Sequence, residues 1–300
     1  MPVVEVTDIF KSFGPVKAVE GVSFTVERGE IFGLLGPNGA GKTTIIRLLL
    51  DIFKPDRGRI SVLGGTLDEA RKARLGYMPE ERGLYQDLPL ERCLVYLASL
   101  KGLAPEQARR RVGAYLERFD MGEYRHKKVK ELSKGQQQKA QLVATLAHDP
   151  ELVIVDEPFS GLDPLNTQAV KELLRQLSRD GVTVIMSTHQ MQQVEALCDR
   201  LLLIDKGQTV LYGELKDIRL RYSGHAVLVR ATGELPPVPG VDRMEAQDGG
   251  VRLSLAPGTQ PQEVLRALVA QDAALEHFEI AAPTLDEIFI QAVQGKGVLG

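Results

Sequence analysis

No run of apolar residues in this 300-residue chain approaches the ~20 that a membrane-spanning helix requires. The longest, such as LVIVD and RLLLID, are strand-sized, so any work at a membrane has to pass through a partner. Cysteine is almost absent: Cys93 and Cys198 lack metal-ligand spacing. They make no disulfide framework, and a reducing, cytosolic compartment fits best. Net charge is low, −3 with both signs interspersed, which removes any global electrostatic case for binding nucleic acid or an acidic membrane surface. The opening MPVVEVTDIFKSF has no basic region followed by an apolar core, so it does not read as a signal peptide.

What is present, 43% hydrophobic and 26% charged residues, is the composition of a soluble globular protein with a sizeable core, long enough for two domains. VSFTV (22–26) and IFGLLG (31–36) read as strands, and TTIIRLLLDIF (43–53) as a helix following a glycine turn. A second alternation runs from the strand LVIVDE (152–157) through a helix over 165–180, the strand VTVIMSTH (182–189) and a helix over 190–198 to the strand RLLLIDKG (200–207). Short apolar strands alternating with amphipathic helices predict a mainly parallel, buried sheet with helices on its faces. Between about 78 and 150 the strand signal gives way to helical periodicity, the mark of an inserted helical subdomain. Near residue 215 the texture changes again. Proline-rich ELPPVPGV (234–241), strand-like AVLVRATG, VRLSLAPG and LEHFEIA, and helical QPQEVLRALVAQ and PTLDEIFIQAV predict a small α+β domain over 216–300, after a large α/β domain over 1–215.

GPNGAGKTT (Gly36, Pro37, Asn38, Gly39, Ala40, Gly41, Lys42, Thr43, Thr44) fits the phosphate-loop pattern G-x-x-x-x-G-K-[ST], with a strand before it and a helix after it. Small residues let successive backbone N–H groups turn inward on phosphate oxygens, and the helix N-terminus adds partial positive charge. The pattern predicts a P-loop NTPase core, with Lys42 on the β- and γ-phosphates of a nucleotide and the Thr43 hydroxyl on Mg²⁺. LVIVDEP ends a buried-type strand in two acids. Asp156 is placed to hold Mg²⁺ through water, and Glu157, directed the other way by strand alternation, to polarise an attacking water. His189, ending another apolar strand, is placed to contact the γ-phosphate and that water. His126, His148, His225 and His277 have no such setting and read as structural or solvated.

A second glycine-bearing turn, ELSKGQQQ (131–138), stands far downstream of the phosphate loop. The phosphate loop, LSKGQ at 132–136, LVIVDE at 152–157, SGLD at 160–163 and STH at 187–189, in that order, resemble the nucleotide-binding subunits of ABC transporters over about residues 3–215. The resemblance implies a pair of subunits, identical or related, arranged head to tail. Ser133, Gly135 and Gln136 of one would then face the γ-phosphate bound by the other. It also implies that Phe13 stacks on adenine and that Asp163 crosses the interface. Lys134 stands where the family often has glycine. Glu80, in YMPEERGLY, stands where the family usually has a glutamine that meets Mg²⁺, the water and the membrane subunit. A carboxylate can still ligate Mg²⁺ but adds negative charge beside the triphosphate.

YMPEERGLY together with the ending PTLDEIF (283–289) resembles a narrower group, the ATPase subunits of ABC-2-type exporters of sodium and drugs, whose extra C-terminal domain supports dimerisation or regulation. The expectation is a cytosolic ATPase subunit, peripheral on the inner face of the membrane, docked by its helical region 78–130 to a separate ABC-2-type permease. The alternatives are a soluble ABC ATPase acting on ribosomes or DNA, and a catalytically idle regulatory module. One phosphate loop, one signature turn and no extended heptads count against the first, and Glu157 with His189 against the second. The basic clusters RRR (109–111) and RHKKVK (125–130) lack interleaved aromatics apart from Tyr124 and read as a solvated helical face, so no nucleic-acid partner is expected.

Overall fold

The computed structural model describes residues 2–296 apart from 82, 223–225, 234, 248, 257 and 282, and leaves aside the side chains of 294–296. His225 therefore lies outside the described residues. The chain divides into two compact units, residues 1–212 and 213–300.

The first unit opens with β1 (Val4–Phe13), β2 (Val16–Val26), β3 (Ile31–Leu35), α1 (Lys42–Leu49) and β4 (Arg57–Val62). After α2 (Glu69–Lys72) and β5 (Leu75–Met78) come the helices of the inserted region, α3 (Leu90–Leu100), α4 (Pro105–Arg118) and α5 (Lys134–Leu146). Then follow β6 (Leu152–Asp156), α6 (Pro164–Arg179), β7 (Thr183–Thr188), α7 (Met191–Leu197), β8 (Arg200–Asp205) and β9 (Gln208–Glu214). Six strands form one sheet in the order β5-β6-β7-β3-β8-β9, and the pairings β5–β6, β6–β7, β7–β3 and β3–β8 are all parallel. Every residue of β3, β6 and β7 is buried, as strands covered on both faces require.

A second, antiparallel sheet, β2-β1-β4, packs on α1. Val4, Val6 and Ile9 of β1 share a core with Ile45, Ile46 and Leu49 of α1 and Phe32 of the parallel sheet, where Phe24 and Phe32 stack at 5.5 Å. Sequence periodicity points to the end of β2 but not to β1 or β4. Asp8 takes a left-handed φ of 48°, and the pairing register shifts between Val6 and Ile9, so a bulge breaks the two-residue alternation. α1 also stops at Leu49 rather than running to residue 53, because Asp51 adopts a left-handed φ of 59° just past its end.

The inserted region carries an unusual helix face. Gln138, Gln141, Thr145 and His148, spaced three, four and three apart along one side of α5 and the turn after it, are all buried. Buried polar groups are costly unless bonded, and all four bond to main-chain carbonyls. His148 Nε2 donates to Leu75 O (3.1 Å), Thr145 Oγ1 to Gln141 O within α5 (2.8 Å) with Tyr77 O farther off (3.4 Å), Gln141 Nε2 to Pro79 O (2.8 Å) and Glu81 O (3.2 Å), and Gln138 Nε2 to Pro158 O (3.1 Å). Residues 75, 77, 79 and 81 alternate because β5 is the edge of its sheet: every second carbonyl faces outward with no neighbouring strand, and side chains of α5 take that strand's place.

The second unit comprises α8 (Leu215–Arg221), β10 (Ala226–Ala231), β11 (Val241–Gln247), β12 (Gly250–Leu255), α9 (Pro261–Ala270), β13 (Leu275–Ile280) and α10 (Leu285–Lys296). Its antiparallel sheet, β11-β12-β10-β13, has a core of its own, in which Val227, Val229, Leu253 and Leu255 pack against Val264 and Leu268 of α9. β11 escapes the sequence pattern because it is exposed along nearly its whole length and has no apolar alternation.

Burial, reinforced by the Lys101 charge, pushes the His148 imidazole down from 6.5 to about 4. The unfolded chain thus takes up a proton where the folded chain does not. His148 should contribute about 3 kcal/mol of stability that is complete above about pH 6.5 and lost as pH falls toward 4. In urea unfolding at pH 7 and pH 5, His148→Gln should show a smaller acid loss of stability than the parent; an equal loss would remove His148 as the cause.

Candidate active site

The C-terminal ends of β3, β6 and β7 lie side by side, the position where open α/β sheets bind ligands. The loop after β3 needs glycine at two points. Gly36 has φ 153°, and a Cβ there would lie 2.3 Å from Ile204 O; Gly41 has φ 110°, and its Cβ would lie 2.5 Å from Ala18 O. Lys42 opens α1, buried, with Nζ donating to Gly36 O (2.7 Å) and Pro37 O (3.2 Å). Burial lowers its pKa, opposed by the charges of Glu157, Asp156 and Glu80.

These groups surround a cleft of 630 Å³ lined by Asn38, Gly39, Ala40, Gly41, Lys42, Thr43 and Thr44 on one side, by Glu80, Asp156, Glu157 and His189 on another, and by Val16, Lys17, Ala18 and Lys206 on a third. The Gly36 and Pro37 carbonyls turn to Lys42, and neither residue lines the cleft.

Glu157 corrects the expectation of opposed carboxylates. β6 ends at Asp156, and Glu157 takes a left-handed φ of 48°, so strand alternation no longer applies and both acids face the same cleft. Nor does Glu157 stand free. Its carboxylate accepts from Thr188 Oγ1 (3.0 Å), from the His189 backbone N–H (2.9 Å) and from His189 Nδ1 (2.7 Å). Asp156 accepts from Ser187 Oγ. Burial raises the Asp156 pKa; the Ser187 bond works against this, while the charges of Glu80 and Glu157 add to it. Ser187 and Thr188, which sequence reasoning missed as site residues, alternate along β7 and so hold Asp156 and Glu157 respectively. Their only sequence signal is two hydroxyls directly before His189.

Among the described residues no group of three His, Cys, Asp or Glu is arranged to hold a metal by itself. Thr43, Asp156 and Glu80 nevertheless share the cleft, and the negative charges of Glu80 and Glu157, which add to burial in raising Asp156, are what a divalent cation would offset. That oxygen set suits Mg²⁺, which takes one or two carboxylates and fills its shell with water and phosphate.

The remaining predicted residues lie elsewhere. Ser133 and Gln136 cap α5 reciprocally: Ser133 Oγ accepts from Gln136 N (3.3 Å), and Gln136 Oε1 from Ser133 N (2.8 Å). Asp163 caps α6 by accepting from Asn166 N (2.8 Å). The two caps adjoin, since a Cβ at Gly135 would lie 3.7 Å from Asn166 Nδ2 and 3.8 Å from Leu162. None of Ser133, Gly135, Gln136 or Asp163 lines the cleft. Phe13 is 43% exposed, edge-on to Phe53 at 5.2 Å, and pairs across the strands with Val16, which does line it.

Fold and cleft together define a P-loop nucleotide hydrolase. The family model described as ABC transporter matches residues 19–160, and that for the C-terminal domain of DrrA1-3-like ATP-binding proteins matches 213–293. An uncharacterised ABC transporter ATP-binding protein, YhaQ of Bacillus subtilis (strain 168), is 40% identical over 288 residues, 95% of this chain and 96% of that protein. The daunorubicin resistance ATP-binding protein DrrA3 of Streptomyces coeruleorubidus is 34% identical, covering 93% of this chain and 92% of its own. A solved ATP-binding subunit of an ABC transporter superposes with a TM-score of 0.68 at 34% identity, over 73% of this chain and 93% of that one. The chain belongs to the ATP-binding subunits of ABC transporters, which bind and hydrolyse ATP to power transport.

Gly41→Ala forces a left-handed φ on a side chain that also meets Ala18 O. It should cost ~2 kcal/mol or more, by strain plus overlap. Thermal unfolding and ATP titration should show a lowered Tm and lost nucleotide binding; an unchanged Kd would mean that the loop absorbs the methyl group.

Proposed function

We propose that this subunit drives an ABC-2-type exporter by pairing, through two shared nucleotides, with a second copy or a related subunit. The observation that carries the reading is the placement of the LSKGQ turn. Ser133 and Gly135 sit at the N-terminus of the thirteen-residue helix α5, where backbone N–H groups favour an anion, yet they stand apart from the cleft of their own chain. A turn of this kind serves a phosphate brought by a partner, and the neighbouring Asp163 loop belongs to the same surface.

Within one cleft, Lys42 and the loop amides hold the β- and γ-phosphates. Glu157 takes the proton from the attacking water, held in place by Thr188 and His189. Thr43, Asp156 and Glu80 hold Mg²⁺, which supplies charge neutralisation for the transferred phosphoryl group. Phe13 is the exposed aromatic beside the cleft on which adenine stacks.

Docking to the permease falls to an apolar groove lined by Tyr77, Pro79, Leu84, Leu97, Leu100 and Ala144, next to the Glu80 loop. No helix among the described residues is long and apolar enough to cross a membrane, which supports a peripheral subunit on the cytoplasmic face. Export of a drug-like compound is supported by the likeness to the daunorubicin resistance protein along nearly the whole chain. The basic clusters support no nucleic-acid role, because Arg109, Arg111, Arg125 and Lys130 are paired with Glu106, Asp149, Glu117 and Asp87.

The test is the solution mass of Glu157→Gln with and without Mg-ATP. A shift from monomer to dimer, abolished by Ser133→Arg, is expected, together with a loss of ATPase turnover of about 10²-fold or more. A monomeric mass with ATP demonstrably bound would overturn self-pairing.

A further inference from the structure

The polar face of α5 does more than occupy the edge of β5. Its first two members reach past the ends of the strands into the loops that carry cleft residues. Gln141 Nε2 donates to Pro79 O at 2.8 Å and to Glu81 O at 3.2 Å, so a single amide grips the carbonyls on both sides of Glu80. Gln138 Nε2 donates to Pro158 O at 3.1 Å, the residue after Glu157. Both glutamines are 3% exposed. Gln141 Oε1 is buried and accepts no hydrogen bond. Turning the amide over would set that oxygen against two carbonyl oxygens, so the chemistry fixes Nε2 on the loop.

The contacts differ in kind along the face. His148 and Thr145 bond to Leu75 and Tyr77, residues of β5 itself, which β6 already holds. Pro79 and Glu81 lie beyond β5, and there Gln141 provides the anchor. A loop residue that must present a carboxylate to the cleft needs its backbone fixed, and the flanking peptide groups are the handles available for fixing it.

We propose that Gln141 is a positioning residue for ATP hydrolysis: it sets the backbone on either side of Glu80 and so holds that carboxylate in the cleft. Gln138 does the same for the segment after Glu157. The helix that begins at the LSKGQ turn thereby carries both cleft loops of its own chain. A displacement of the turn by a partner's nucleotide would reach Glu80 and Glu157 through two amides. The Gln141 inference rests on Glu80 acting in the cleft; the link to the turn rests on the two-subunit reading.

Gln141→Leu keeps the volume and removes the donors, and Thr145→Val removes a hydroxyl of the same face that bonds to Gln141 O (2.8 Å) and Tyr77 O (3.4 Å), leaving the Gln141 amide on the Glu80 loop. In the full chain, Gln141→Leu should lower kcat about tenfold with KM for ATP within about twofold. Hydrogen exchange without nucleotide should speed up at the amides of Glu80 and Glu81. Thr145→Val should leave both near the parent. Gln141→Asn, a donor one methylene short, should fall between parent and Leu variant, and decides the matter if the Leu variant does not fold. The proposal is overturned if Gln141→Leu keeps parental kcat and exchange, or if Thr145→Val matches its losses, which would make the whole face a structural seam. Exchange is read on the nucleotide-free chain, so this result stands apart from the solution-mass test of pairing.

Discussion

The structure is organised around a charge imbalance. Asp156, Glu157 and Glu80 converge on a cleft in which Lys42 is the phosphate-loop cation, and Asp156 and Lys42 are both buried. Desolvation disfavours the charged forms of Asp156 and Lys42, and the charges of Glu80 and Glu157 add to the effect on Asp156. Under the proposed reading a divalent cation would relieve this imbalance, entering together with phosphates whose own negative charge the loop amides and Lys42 would absorb. Glu80 sharpens the point: a glutamine would leave that position uncharged, whereas the carboxylate would make the proposed cation a more necessary part of the bound state.

Holding like charges together requires rigid scaffolding, and the parallel sheet provides it. Neighbouring strands end at the same level, so β7 can reach across to β6 with consecutive hydroxyls, Ser187 to Asp156 and Thr188 to Glu157. Thr188 Oγ1 also accepts from Gln190 N at 3.1 Å, which locks the turn carrying His189. The result is one connected set of bonds from the end of β6 to the end of β7, with both carboxylates pinned on the side of the phosphate loop.

The chemistry was legible in the sequence wherever covalent type and spacing decide it. A phosphate loop admits few alternatives at Gly36, Gly41, Lys42 and Thr43, since backbone approach and positive φ exclude side chains at both glycines. The buried strands were legible because β3, residues 152–155 of β6 and residues 184–186 of β7 form unbroken apolar runs. Local departures from regular geometry were not. The bulge at Asp8 hid β1, and the left-handed turn at Glu157 reversed the side on which that acid was expected. The buried face of α5 was hidden for a different reason: glutamine and threonine at helical spacing look like a solvated surface unless one knows that an edge strand's carbonyls await them.

That face also shows why polarity is useful in a place where apolar packing would be cheaper. Apolar side chains stabilise contact but tolerate sliding, because the hydrophobic effect is non-directional. Donors aimed at every second carbonyl of an extended chain do not. A step of one residue along β5, ~3.3 Å, would carry each donor from a carbonyl facing it to one facing away. Gln141, Thr145 and His148 therefore fix the register between α5 and the 75–81 segment, while Gln138 ties the same helix to Pro158, at the cost of burying polar side chains. Under the proposed pairing, in which a turn from another chain completes the hydrolytic site, that cost has a reason: the position of the subunit's own turn and the position of its own cleft loops must not drift apart.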